Sequence, residues 1–184
     1  KGQQEDKRIR RTKKLLRQAL ASLMQEKEFP NITVTDVVRR ADINRGTFYA
    51  YYRDVFDLRE KVENEIVDAL RDLIAHALPS PNATTIEPLI EQSVAYLEQN
   101  HDLTYALLSD RSMGSFEQKL MALMEECSCL IRPPRQPEDY FSIWFAAAGC
   151  IGVMKKWMTR EKPAGRDAVI RRMDEMLCSI LHMA

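Results

Sequence analysis

Asn44, Arg45, Gly46 and Thr47 form the group best equipped for chemistry in this 184-residue chain, and that chemistry is recognition by hydrogen bonding. Asn44 is a helix-capping type, so the three residues after it fall in the first turn of a helix. In a two-helix reader that first turn is the part that enters a major groove, where base edges are exposed. The element that must position it lies just upstream. Thr33 with Asp36 three residues on makes a capping box, and Val34, Val37, Val38 and Ala41 share one apolar side of the helix it starts. Two short helical patterns three residues apart, both capped, are the pattern of a helix-turn-helix.

Helical punctuation continues along the whole chain, with almost no strand pattern. Ile9, Leu15, Leu16, Ala19, Leu20, Leu23 and Met24 recur at helical spacing and predict a first helix over Asp6 to Lys27, ending before Phe29-Pro30. Asp54 and Asp57 give an acidic start to a long helix that reaches Ala77 through Leu58, Val62, Ile66, Leu70 and Leu73. A loop over Pro79 to Thr85 precedes helices over Ile86 to Asn100 and Asp102 to Ser109. Ser115 to Gln118 reads as another capping box, for a helix running to about Ile131. A strongly apolar helix follows over Glu138 to Arg160, and its AAAGCIG segment permits close backbone approach. After a turn at Pro163-Ala164-Gly165, Ile170, Met173, Met176, Leu177, Ile180 and Leu181 define the last helix. The reading is all-α, about nine helices: a three-helix helix-turn-helix domain over 1–53, then a larger helical domain over 54–184 in which 54–78 is a linker helix.

The segment ITVTDVVRRADINRGTFYAYYRDVFDL, with Thr47, Phe48, Tyr49, Tyr51 and Tyr52 in a T-x-Y-x-Y-F-like arrangement, resembles the DNA-binding domain of TetR/AcrR-family transcriptional regulators. The likeness covers roughly residues 8 to 60, and it requires caps, turn length and aromatic spacing to coincide. It implies double-stranded operator DNA as partner. Thr33 and Thr35 then sit at a helix start able to hold a phosphate. Arg45 is placed for a guanine edge or a phosphate, and Thr47 for a thymine methyl or a phosphate. Tyr49 and Tyr51 correspond to phosphate-contacting aromatics, Phe48 and Tyr52 to core anchors, and Lys7, Arg8 and Arg11 to a basic arm. One position departs: where family members often carry a phosphate-contacting lysine, this chain has Val55.

The resemblance also implies a homodimer through the last two helices of each subunit. The apolar girth of the stretch from Ile143 to Met158 supports this independently, since such a helix needs partners on several sides. A small-molecule inducer is a common feature of such regulators. Tyr96, Tyr105, Phe116, Phe141, Trp144 and Phe145 are spaced either to line an apolar pocket for one or simply to fill the core. LTYALLSDRSMGSFEQKLMALM is similar to regulators related to dihydroxyacetone-kinase control, some of which act through a protein partner. Two functions follow: a repressor that binds a palindromic operator as a homodimer and is released by a ligand, or a coactivator of the same fold that docks on a partner protein.

Charge is neutral overall but unevenly divided. Residues 1–53 hold 13 Lys and Arg against 6 Asp and Glu, a net of +7, and the remainder carries −7. That polarity suits binding to a phosphate backbone. No apolar run approaches a membrane span and no secretory leader is evident, so the expected compartment is the cytoplasm. Cys127, Cys129, Cys150 and Cys178 lie in apolar helical patterns without metal-type spacing and read as buried thiols, with a redox pair between helices as the other possibility. His76, His101 and His182 are scattered. No phosphate loop, zinc motif, nucleophile elbow or acid–base pair stands out, so neither enzyme activity, cofactor nor metal is expected.

Overall fold

The computed structural model describes residues 2–80, 83–110, 112–158 and 164–181, with side chains from Lys7 onward. His182 and the expected helix end and turn over residues 159–163 lie outside the described residues. Among the described residues there are nine α-helices, one short 3-10 turn and no strands. They are α1 (Gly2–Glu26), the 3-10 turn Phe29–Asn31, α2 (Val34–Ala41), α3 (Arg45–Tyr49), α4 (Val55–Ala77), α5 (Glu87–Gln99), α6 (His101–Ser109), α7 (Ser115–Ile131), α8 (Asp139–Trp157) and α9 (Arg166–Ile180). The all-α class is as the periodicity predicts. α1 starts four residues before the expected Asp6, because Gly2, Gln3, Gln4 and Glu5 include no apolar side chain and hydrophobic spacing cannot announce such an extension.

Two compact units emerge: residues 1–65 with 102–114, and residues 66–101 with 115–184. They do not divide at 53/54. α4 is one continuous helix whose first half belongs to the first unit, and residues 102–114, which hold α6 past His101, join that unit although 36 residues of the other unit precede them in the chain.

In the first unit, the head of the chain, α1 packs on α2 and α2 on α3. Leu16, Leu20, Phe29, Val37, Phe48, Leu58 and Val62 are essentially fully buried and make its core. The α2 start is tied as predicted: the Asp36 N–H donates to the Thr33 hydroxyl at 3.2 Å and the Thr33 N–H donates to the Asp36 carboxylate at 2.9 Å. Lys27 adds a donor to the same carboxylate at 2.7 Å, and Arg40 grips Glu26 with two bonds of 2.8 and 2.7 Å. These pairs lock α2 onto the end of α1. Asp54 accepts from the Asp57 N–H at 2.8 Å at the head of α4, and Asp57 in turn accepts from the Arg53 N–H at 2.9 Å.

In the second unit, α8 packs against α7 and α9, and α9 also packs on α5. Asp174 of α9 accepts from the Ile86 N–H at 2.7 Å and from the Thr85 hydroxyl at 2.9 Å, capping α5 from a distant part of the chain. Of the four thiols expected to be buried only Cys127 is; Cys129, Cys150 and Cys178 are half-buried, since their helix faces are only partly covered. Burial pushes the Cys127 and Cys150 thiols up to about 12 and about 11. Cys178 is raised as well, by burial and then by donating to Asp174 at 3.4 Å.

Bonds from Lys27 first, then from Thr33, hold the Asp36 carboxyl far below the usual carboxylate range. A carboxyl depressed on folding contributes stability that is complete above its unfolded value of about 4 and lost as pH falls toward the folded value. Asp36→Asn is therefore expected to lower the melting temperature at pH 7 and to flatten its decline below about pH 4. Identical melting curves across that pH range would remove Asp36 from the stability of the head. Because only thiolates react, Cys127 and Cys150 should label very slowly with a disulfide reagent at pH 7 and rapidly after urea unfolding.

Candidate nucleic-acid interface

The five residues of α3 make a helix too short to persist alone, so its geometry comes from its ends and from one buried ring. α2 stops at Asp42, which takes the left-handed conformation at φ 52° and closes its N–H back onto Arg39 and Val38. Aspartate is among the few non-glycine residues that tolerate this region. Asn44 then caps α3. Its side-chain oxygen accepts from the Thr47 N–H at 2.7 Å and from the Thr47 hydroxyl at 3.0 Å. Behind them Phe48 is wholly buried, with Tyr52 5.8 Å from it.

The outward side of this arrangement carries the expected groups. Arg45, Gly46 and Tyr49 are exposed, Thr47 and Tyr51 half-buried. Asn44 spends its oxygen on the cap, so its part is to shape the first turn. The Thr47 proton is likewise engaged, which leaves its methyl and lone pairs outward-facing chemistry to offer. A Cβ on Gly46 would sit 3.3 Å from the Asn44 oxygen, so glycine keeps the cap uncrowded. Tyr49 rests edge-on against Phe48 at 5.6 Å while remaining 53% exposed, a ring braced on one side and open on the other. Thr35 is exposed in the first turn of α2, and Thr33 is committed to its capping box. Lys7, Arg8 and Arg11 are exposed along α1.

Val55 is buried, so the departure from the lysine pattern is explained by packing. A cation nearby was missed by sequence reasoning. Lys61 donates to the Tyr51 carbonyl and to Asp57, both at 3.0 Å, and lies 5.3 Å from the Tyr52 ring centre. It thereby ties the segment after α3 to the second turn of α4. Nothing in local spacing flags this, because Tyr51 and Lys61 are ten residues apart. Burial, first, and then the charge of Glu65 push the Tyr52 hydroxyl up to about 12, as befits a structural ring.

The six aromatic candidates for a ligand pocket are placed unevenly. Phe116 is fully buried, Tyr96 and Tyr105 are half-buried, and Phe141, Trp144 and Phe145 stand outward on α8. The last two are 48% and 69% exposed, so in the single chain they open to solvent and not into a space between helices.

A family model for the C-terminal region of transcriptional regulators, TetR_C_8, matches residues 84–178. The chain belongs to the TetR family of transcriptional regulators. An uncharacterized HTH-type transcriptional regulator of Bacillus subtilis (strain 168), YxbF, is 30% identical over 100 residues, which is 53% of this chain. The match spans 25% of that relative's length. A TetR transcriptional regulator from Streptococcus agalactiae 2603V superposes with a TM-score of 0.63 at 24% identity, over 96% of this chain and 99% of that one. The dihydroxyacetone kinase operon activator DhaS gives 0.60 at 18% identity, over 93% and 94%. At these identities the two structures speak to fold alone.

Two substitutions separate positioning from reading. Tyr49→Ala is expected to weaken binding to all duplexes alike, whereas Arg45→Ala should cost about 1–3 kcal/mol on a preferred duplex and relax preference at one base pair. Competition titrations with matched and shuffled duplexes measure both, and equal loss of preference would overturn this division of roles.

Proposed function

We propose that this chain is a homodimeric operator-binding repressor that inserts the first turn of α3 into successive major grooves. The observation that supports it most directly is the outward presentation of Arg45, Gly46 and Thr47 on a turn fixed from behind by Phe48 and capped by Asn44. Phosphate contacts fall to Thr35, Tyr49, Tyr51 and the exposed bases of α1, with Lys7, Arg8 and Arg11 as an arm. Such contacts supply affinity and orientation, and the α3 side chains supply sequence preference.

The dimer reading is supported by α8. Its inner face, Ile143, Ala146, Ala147, Ile151, Met154 and Trp157, is buried, while Phe141, Trp144, Phe145, Ala148, Gly149 and Gly152 form an exposed stripe at helical spacing. Met176 on α9 is also exposed. Large apolar side chains grouped on one face favour self-association, and the small residues beside them permit close approach of a second helix. A two-fold dimer carries two reading turns to a palindromic site, and occupancy of such a site beside a promoter represses.

Gel-shift and sedimentation measurements test the two parts together. The expected result is a salt-sensitive, sequence-selective shift by a dimer. Phe145→Arg should yield a monomer, raising the dimer dissociation constant by roughly thirtyfold, a loss of about 2 kcal/mol at a buried aromatic contact, and weakening the shift accordingly. A monomeric wild type, or a shift indifferent to sequence, would overturn the proposal.

A further inference from the structure

Arg59 lies in the second turn of α4 and is only 2% exposed, which demands partners for its charge. Its Nε donates to Glu63 at 2.7 Å one turn along, and its Nη1 donates to Asp110, just past the end of α6. The guanidinium carbon is 4.5 Å from the centre of the Phe29 ring, and Phe29 meets Phe56 edge-on at 5.1 Å. Asp110 also accepts from the Ser112 N–H at 3.0 Å and its hydroxyl at 2.7 Å, which fixes the carboxylate in place. Burial pushes the Asp110 carboxyl up, and the Arg59 and Ser112 donors more than offset it, leaving it below its ordinary value.

This cluster joins parts of the head that sequence keeps far apart. Phe29 opens the 3-10 turn between α1 and α2, Arg59 stands one turn beyond Val55, and Lys61 on the same turn of α4 holds the Tyr51 carbonyl behind α3. Asp110 arrives from 51 residues downstream. Residues 102–114 belong to the head's compact unit, yet the chain on either side of them belongs to the other unit. Asp110 thus reaches the head from a separate stretch of the chain, and through Arg59 it bears on α4, the helix whose Lys61 holds the Tyr51 carbonyl.

We propose that Asp110 is a positioning residue for operator recognition, acting through Arg59 to hold the first two turns of α4 and so the angle at which α3 is presented. The proposal rests on the DNA-reading function above. The Arg59 Nη2 already lacks a hydrogen-bond partner, so loss of the carboxylate strips the buried cation further and must turn it toward water or another acceptor, disturbing Phe29 and α4 together. Phosphate contacts along α1 and α2 do not pass through Arg59. Loss of Asp110 therefore affects sequence preference more than non-specific binding.

The test uses duplexes that the wild-type chain selects from a randomised pool, shuffled duplexes of equal length, and urea unfolding of each variant. Asp110→Asn is expected to lower the ratio of selected to shuffled affinity on the order of tenfold, about the effect of one mismatched base pair, with the salt dependence on shuffled duplex unchanged. Asp110→Glu should recover part of the ratio. The triple variant Arg59→Met, Glu63→Leu and Asp110→Leu removes the buried charges together and should recover the urea midpoint without recovering the ratio. A folded Asp110→Asn with the wild-type ratio would overturn the proposal, as would a triple variant that regains ratio and midpoint together. A wild-type chain that selects no duplex would instead refute the DNA-reading function itself, a different result from either.

Discussion

A helix of five residues has almost no stability of its own, and the proposed reading surface depends on one being held in place. The constraint is met from behind by Phe48, which is wholly buried, and at the leading end by the Asn44 cap. Every neighbouring element serves that seat. α2 ends in a left-handed Asp42 that aims the chain into α3, and α4 receives the chain again with Val55 and Leu58 buried. Lys61 fastens the segment between them by its hold on the Tyr51 carbonyl. The side chains free to meet a ligand are those not needed for this work, which is why Arg45, Gly46 and Tyr49 face outward while Phe48 and Tyr52 do not.

The charge of the amino-terminal third is divided in the same way. Its net of +7 suggests a uniform basic surface, yet several cations are occupied inside the head. Lys27 holds Asp36, Arg40 holds Glu26, and Arg17 meets Glu65. These pairs fix α1, α2 and α4 relative to one another, whereas the exposed Lys7, Arg8, Arg11 and Arg45 remain on the surface where a phosphate can approach. Half-exposed ion pairs contribute modestly to stability, so their larger effect is on the angles between helices.

α8 shows how one sequence feature can carry two duties. Its apolar character all round predicts partners on several sides, and among the described residues α7 and α9 cover the side that holds Ile143, Ala146, Ala147, Ile151 and Met154. The uncovered side holds Phe141, Trp144 and Phe145, which were equally consistent from spacing with a pocket lining or a core. Periodicity reports that a residue is apolar and on a given stripe. Which stripe faces inward depends on where the neighbouring helices settle.

Much of the fold was legible because the forces that set it are local. Thr33 with Asp36, Asn44 before α3 and Asp54 with Asp57 are capping groups three residues or fewer from the N–H groups they satisfy, and stripes such as Leu16, Leu20 and Leu23 need only the helical repeat. The family resemblance around Thr47 to Tyr52 was legible for the same reason, since its residues are contiguous. Tertiary structure alone decided that Val55 is core, that Lys61 reaches the Tyr51 carbonyl, that Asp174 caps α5, and that Asp110 meets Arg59. Each of the last three joins groups well beyond a helical turn in sequence, and a buried charge takes whichever partner the packed chain brings within reach. Spacing along the sequence governs the first kind of contact, and distance in the folded chain governs the second.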